Sequence, residues 1–161
     1  MTDTPYRPNG GRHHVVVVGA GFIGLEFAAV AAALGTSVHV LELGDRPMAR
    51  ALSREMSELF RDAHEHWGVH FDFRQGLARV VGDNGRVCAV ETSGGRTLPA
   101  DLVVFGIGVI PNVQLAAEAG LQIENGIKVD ASLLTVDPQI SALGDAACFP
   151  CLYNDEQPTR L

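Results

Sequence analysis

Positive charge is in short supply: 12 Lys and Arg stand against 19 Asp and Glu, giving a net charge of −7. The cations are scattered and form no basic stripe. Nucleic-acid binding draws its affinity from clustered Lys and Arg, so such a partner is not expected. Long apolar runs are missing too. The longest, Ala28 to Leu34, is too short to span a bilayer and reads as a buried helix, so no membrane association is expected. Met1 to Gly11 is polar, carries Pro5 and Pro8, and lacks the apolar core of a secretory signal. Cysteine is sparse. Three cysteines, an odd number without an export signal, fit a reducing compartment better than a disulfide framework, and a cytoplasmic location is expected. There is no internal repeat and no low-complexity tract.

What is present is a globular composition: 161 residues, 47% hydrophobic, with 18 glycines. That is enough to bury the core of one domain and part of a second, and it excludes a fibrous or disordered class. Val15 to Val18 is an unbroken β-branched run, as suits a strand covered on both faces of a parallel sheet. A glycine cluster ends it. Ile23, Phe27, Val30, Ala31 and Leu34 then recur at helical spacing and predict an amphipathic helix, with Gly35 placed to stop it in a left-handed conformation. Ser37 to Leu43 reads as a second strand. Leu52, Met56, Leu59, Phe60 and Ala63 form the stripe of a second helix ending at Gly68, and Val69, Phe71 and Phe73 alternate as a third strand. This βαβαβ order predicts an α/β fold of Rossmann type. Two turn signals, Asp83-Asn84-Gly85 and Ser93-Gly94-Gly95, separate short strands at Leu77–Val81, Val87–Thr92 and Arg96–Leu98, an antiparallel β-meander inserted as a crossover. Leu102 to Phe105 returns as a buried strand of the parallel sheet. A short helix over Val113–Ala119 and a weaker β-rich segment over Ile123–Leu143 follow.

The chemistry centres on Gly19-Ala20-Gly21-Phe22-Ile23-Gly24. Gly19 serves a tight turn, Gly21 lets backbone approach a pyrophosphate, and Gly24 permits close packing of helix on strand. The helix N-terminus adds free N–H groups and partial positive charge. Glu42, at the end of the second strand, can accept hydrogen bonds from both ribose hydroxyls of an adenosine, and its charge repels the phosphate that distinguishes NADP. NAD(H) is therefore favoured over NADP, although Arg46 and Arg50 keep a 2′-phosphate in play. FAD uses the same fingerprint, so these residues alone leave the dinucleotide open.

Other signals read as structural. Cys148-Phe149-Pro150-Cys151 has the spacing of a redox or zinc pair, but a four-ligand zinc site would lack partners, and two incidental loop cysteines are expected. Cys88 reads as a buried small hydrophobe. His64 and His66 point to different sides of a helix that Gly68 breaks before His70, so solvated histidines rather than a metal site are expected. Trp67 reads as a cap on the core under the second helix. Glu55, Glu58, Asp62 and Glu65, with Arg54 and Arg61, read as that helix's solvated face.

Three motifs in order carry a resemblance: Val15 to Glu26, Phe105-Gly106-Ile107-Gly108-Val109-Ile110-Pro111-Asn112, and Ala142-Leu143-Gly144-Asp145-Ala146. Over roughly Arg12 to Pro150 the chain closely resembles FAD-dependent pyridine nucleotide-disulfide oxidoreductases, most of all the NADH-dependent ferredoxin or rubredoxin reductases that serve oxygenases. In such enzymes an NADH domain is inserted into an FAD domain, and a C-terminal domain completes the site. The resemblance implies that residues 12–130 are the NAD(H) domain and 131–161 the truncated start of the second FAD segment. Residues 1–11 are then a disordered start or a cloning remnant, and the chain is a fragment cut near Gly10-Gly11. It further implies that Gly21, Phe22, Ile23 and Gly24 face the pyrophosphate and nicotinamide ribose, and that Glu42 and Arg50 hold the adenosine end. Glu26 resembles the acid beside the nicotinamide carboxamide. Ile107-Gly108 resemble the backbone bordering that ring, and Asp145 the aspartate that binds the ribityl chain of FAD. The implied reaction passes hydride from NADH to FAD and single electrons onward to a ferredoxin or rubredoxin. It requires no catalytic side chain, and this fragment alone is expected to turn nothing over. In the disulfide reductases of this superfamily the redox cysteines lie elsewhere than Cys148 and Cys151. An NADH oxidase or the flavin domain of a nitrite reductase fits the same residues. A free-standing NAD(H) sensor is the reading from another class, and Asp145 speaks against it.

Overall fold

A computed structural model describes residues 13–151 and 158–160; the expectation for residues 1–11 lies outside them. The chain divides into two compact units between Gly108 and Val109. The first contains β1 (His14–Val18), α1 (Phe22–Ala33), β2 (Ser37–Glu42), α2 (Arg54–His66), β3 (Val69–Phe73), β4 (Leu77–Asp83), β5 (Arg86–Thr92), β6 (Thr97–Pro99) and β7 (Leu102–Phe105). Four of these strands form a parallel sheet in the order β3-β2-β1-β7, and β4-β5-β6 form a separate antiparallel sheet. The α/β Rossmann-like fold with a meander crossover is the one the sequence predicts.

Alternation along β1 builds the layers. Val15 and Val17 join Val38, Val40 and Val69 in a core under the helices, while Val16 and Leu41 face Val90, Leu98 and Ala100 of the meander side. Both faces of β1 are thus covered, which is why its sequence is β-branched without interruption. The meander is fastened by Asp72, whose carboxylate accepts from Arg96 and lies 3.2 Å from His39 Nδ1. The Asp83–Arg86 turn is tight, with Asn84 and Gly85 both at positive φ, the backbone a two-residue hairpin needs. β7 was expected to be buried. It is an edge strand of the four, and Leu102 and Phe105 are exposed.

The buried face of α1 corrects the sequence reading. Gly24, Leu25, Ala28 and Ala31 are buried. Phe22, Val30 and Leu34 of the expected motif and stripe are 62%, 58% and 79% exposed, and Ile23 and Phe27 are exposed as well. Ala28 to Leu34 is therefore buried on one side only. This helix is apolar nearly all round, so periodicity does not choose its face; close approach to β1 does, and it requires small residues. Gly35, at φ +80°, ends the helix, with its N–H donating to Ala32 O and that of Thr36 to Ala31 O, as in a Schellman motif.

Helix α2 departs in the same way. Met56 and Leu59 are exposed, Phe60 and Ala63 half-buried, and the buried side chains are Ser57 and His64. His64 is 4% exposed, not solvated as expected: Nδ1 lies 2.7 Å from Phe60 O and Nε2 3.2 Å from Leu25 O of α1. Its ring packs against Trp67 and Phe71. Trp67 is itself 53% exposed and borders a groove rather than capping the core. A neutral imidazole carries a single N–H, so one of these two carbonyls accepts from the ring and gives the buried side chain its hydrogen-bond partner. We expect His64→Ala to destabilise the first unit by about 2 kcal/mol, from the cavity and the lost bridge to α1. Urea unfolding checks this, and an unchanged midpoint would return His64 to a surface role.

The second unit holds α3 (Gln114–Glu118), β8 (Ile127–Lys128), a 3₁₀ turn (Gly144–Ala146), β9 (Ala147–Pro150) and β10 (Pro158–Thr159). β9 pairs with β8 in parallel and with β10 antiparallel, over a core of Val129, Ala142 and Ala147. The stretch Ile123–Leu143 contains one two-residue strand and two isolated bridges. Turns built on Asp130 and Asp137, whose carboxylates accept from nearby N–H groups, take the place of longer strands there. No helix among the described residues is long and apolar enough to cross a membrane.

Candidate functional site

The glycine turn lies between β1 and α1, where the sheet delivers it. Gly19 has φ +99°, and a Cβ there would stand 2.6 Å from Gly106 O. Its N–H donates to Leu41 O at 2.8 Å. A Cβ on Gly24 would collide with Gly19 O and come within 3.3 Å of Val17 Cγ1. Gly21 differs: a Cβ there would have only Gly106 O nearby, at 3.8 Å. It is also the N-cap of α1, and no side chain caps the helix. The N–H groups of Phe22, Ile23 and Gly24 belong to the first turn, where an α-helix offers them no internal partner. No acidic residue sits in that turn, so the partial positive charge there is not offset locally.

Glu42 closes the other side. Its Oε2 accepts from Ala20 N at 2.8 Å and its Oε1 from Gly44 N at 2.7 Å. The carboxylate therefore faces the turn. Ala20 is held from both ends, because its carbonyl accepts from Met48 N at 2.9 Å. Met48 is a non-glycine residue at φ +50°, a backbone that such a tether helps to keep. Beside this loop, the Arg54 guanidinium hydrogen-bonds Asp45 and holds its carboxyl below the usual carboxylate range.

Gly19, Gly21, Gly24 and Ile107 thus cluster around one point, with Glu42 joined through Ala20. Gly108 follows with φ +109° and open space where a Cβ would be. Phe22 and Ile23 are exposed at the mouth of α1. Glu26, one turn further, lines a groove of about 240 Å³ between α1 and α2 with Phe22, Leu25, Met48 and Trp67. Arg50 is exposed on the loop before α2. Asp145 belongs to the second unit, exposed in the 3₁₀ turn after Gly144.

Sequence reasoning named Gly106 within a motif and Arg46 as a neighbour for a 2′-phosphate, but gave neither a part in shaping the turn or its loop. A Cβ on Gly106 would stand 3.0 Å from Gly24 Cα, so the turn needs a glycine on the facing strand end as well. The Gly-x-Gly pattern of 106–108 was the available signal. Cys88 was expected to be buried and is exposed, in β5 two residues past its start at the hairpin turn. Cys148 lies in β9, not in a loop, and is buried; Cys151 is half-buried, and neither is in a disulfide.

Similar proteins carry the same framework. Rhodocoxin reductase of Rhodococcus erythropolis is 52% identical over 136 residues, which is 84% of this chain and 32% of that protein. A rubredoxin-NAD(+) reductase of Ectopseudomonas oleovorans is 43% identical over 135 residues, 83% of this chain and 34% of its own length. The solved ferredoxin reductase of Rhodopseudomonas palustris superposes with a TM-score of 0.84 at 49% identity, over 93% of this chain and 37% of that one. The chain spans about a third of the length of the curated relatives it matches. The profile of one family, described as pyridine nucleotide-disulphide oxidoreductase, matches residues 2–160. With nearly its whole length inside that profile, the chain belongs to the pyridine nucleotide-disulphide oxidoreductase family.

Proposed function

We propose that the first unit binds NADH and serves a flavoprotein oxidoreductase that passes hydride from NADH to FAD and electrons onward to a ferredoxin or rubredoxin type acceptor. The observation that carries this reading is the juxtaposition of the uncapped α1 N-terminus with the Glu42 carboxylate, 2.8 Å from Ala20 N. One half suits a diphosphate and the other a ribose diol. The missing Cβ of Gly21 leaves the space a diphosphate needs.

When bound, NADH supplies a hydride, and FAD takes up its two electrons and releases them singly. The chain's own residues bind and orient. Gly19, Gly21 and Gly24 keep side chains out of the turn, and the N–H groups of Phe22 and Ile23 face the pyrophosphate and nicotinamide ribose. Glu42 and Arg50 hold the adenosine end. Glu26 serves the nicotinamide carboxamide, Ile107 and Gly108 border the ring, and Asp145 serves the ribityl chain of FAD in a flavin segment that begins near residue 131. NADH is preferred to NADPH because a carboxylate, not a cation, ends β2. The acceptor class follows the rubredoxin and ferredoxin reductases among the relatives. Three cysteines without a disulfide support a cytoplasmic setting.

Calorimetric titration of this chain with NADH, NADPH and FAD tests the reading. NADH is expected to bind, NADPH more weakly, and FAD not measurably, with no dye reduction by the flavin-free chain. Tighter binding of FAD than NADH would overturn the assignment of the glycine turn.

A further inference from the structure

Arg46 follows the strand-ending Glu42 by four residues, where an arginine could meet a 2′-phosphate, yet its guanidinium is spent elsewhere. Nη1 donates to Leu52 O at 2.9 Å, to Ser57 Oγ at 2.5 Å and to Ser53 O at 3.4 Å; Nη2 donates to Ala49 O at 2.9 Å. Ser57, fully buried, donates its own hydroxyl hydrogen bond to Pro47 O at 2.7 Å. The carbonyls on both sides of Arg50 and Ala51 are thereby drawn to one planar cation. The loop is tied off again at Met48, whose carbonyl accepts from Ala51 N and Leu52 N and whose N–H reaches Ala20 O.

We infer that Arg46 is a positioning residue for dinucleotide binding: it folds the 47–53 loop into the shape that seats Met48 on the glycine turn and presents Arg50 to the adenosine end, and it does not contact phosphate. This rests on the reading of the first unit as an NADH site. A lysine cannot substitute, since a single ammonium offers its protons from one point, whereas the acceptors are divided between two nitrogens of a rigid fork.

The test is a double-mutant cycle in this chain, with ADP-ribose, NADH and NADPH as calorimetric probes. Arg46→Lys is expected to weaken ADP-ribose and NADH by about tenfold, with the NADH-to-NADPH ratio unchanged. Arg50→Ala is expected to weaken ADP-ribose in the parent chain but to add little in the Arg46→Lys background, because the loop no longer presents it. Simple loosening of the fold would not erase the effect of Arg50. Ser57→Ala, which releases the same loop while keeping Arg46, is expected to reproduce the pattern more weakly and serves if Arg46→Lys does not fold. A loss confined to NADPH would make Arg46 a phosphate ligand and overturn the inference. So would full additivity of the two substitutions, or unchanged affinity in both loop variants. A parent chain that binds NADH with an Arg46→Lys chain that binds it equally sinks this inference alone. A parent chain that binds neither NADH nor ADP-ribose sinks the function reading, and this inference with it.

Discussion

Gly24→Ala is expected to abolish dinucleotide binding and to destabilise the first unit by about 3 kcal/mol. The added methyl group meets Gly19 O, a backbone atom, and Val17 Cγ1 of the core. Neither can give way cheaply. Gly19 is fixed by its N–H bond to Leu41 O and by the Gly106 carbonyl on its other side, and Val17 is fully buried. Relief requires α1 to rise off β1, which opens the core at Leu25 and Ala28 and carries the first-turn N–H groups away from the turn. The informative control is Gly21→Ala. Its Cβ has no protein atom closer than Gly106 O at 3.8 Å, so the urea midpoint is expected to stay near that of the parent while NADH affinity falls. Equal midpoints for Gly24→Ala and the parent would show that α1 is not seated on β1 through this glycine.

Glu42→Gln is the second large effect. Both oxygens of the carboxylate accept from main-chain N–H groups, Ala20 on one and Gly44 on the other. An amide of the same shape has one acceptor, so its NH₂ must face one of those donors. One peptide N–H loses its partner, and the turn loses its side wall. A cost of about 2 kcal/mol in NADH binding follows, roughly a thirtyfold rise in Kd. The usual logic of specificity predicts that removing this charge favours NADPH relative to NADH; here the distortion of the Ala20 turn weakens both. Titrating the variant with each nucleotide separates the two. A variant that gains NADPH affinity with NADH unchanged would mean that Glu42 acts on the ribose alone and leaves the turn untouched.

Several of these features were legible in the chain itself, and the physical reasons differ. β1 announces itself because a strand covered on both faces has no polar position to interrupt it. Glu42 was visible as the acid that ends the second strand, close to the spacing a glycine turn of this kind calls for, and Gly35 as the residue that must take a left-handed backbone. The face of α1 was not legible. A helix apolar on almost every side is oriented by its tightest contact, here Gly24 on Gly19, and that contact exists only once strand and helix are folded together. His64 failed as a reading for a related reason: a histidine looks solvated in a polar helix until the carbonyl of Leu25 arrives from another one. Arg46 looked available for a phosphate because the sequence cannot show four backbone and side-chain acceptors converging on it. Gly106 lies far along the chain from the turn it shapes.

The Ala20 peptide, with its N–H on Glu42 and its carbonyl under Met48, has a thermodynamic corollary. Fixing the backbone of one residue costs about 1–2 kcal/mol of conformational entropy, and at this turn that loss has been taken during folding. A ligand arriving there meets a mould already cast, so its capture need not wait for main chain to come to rest.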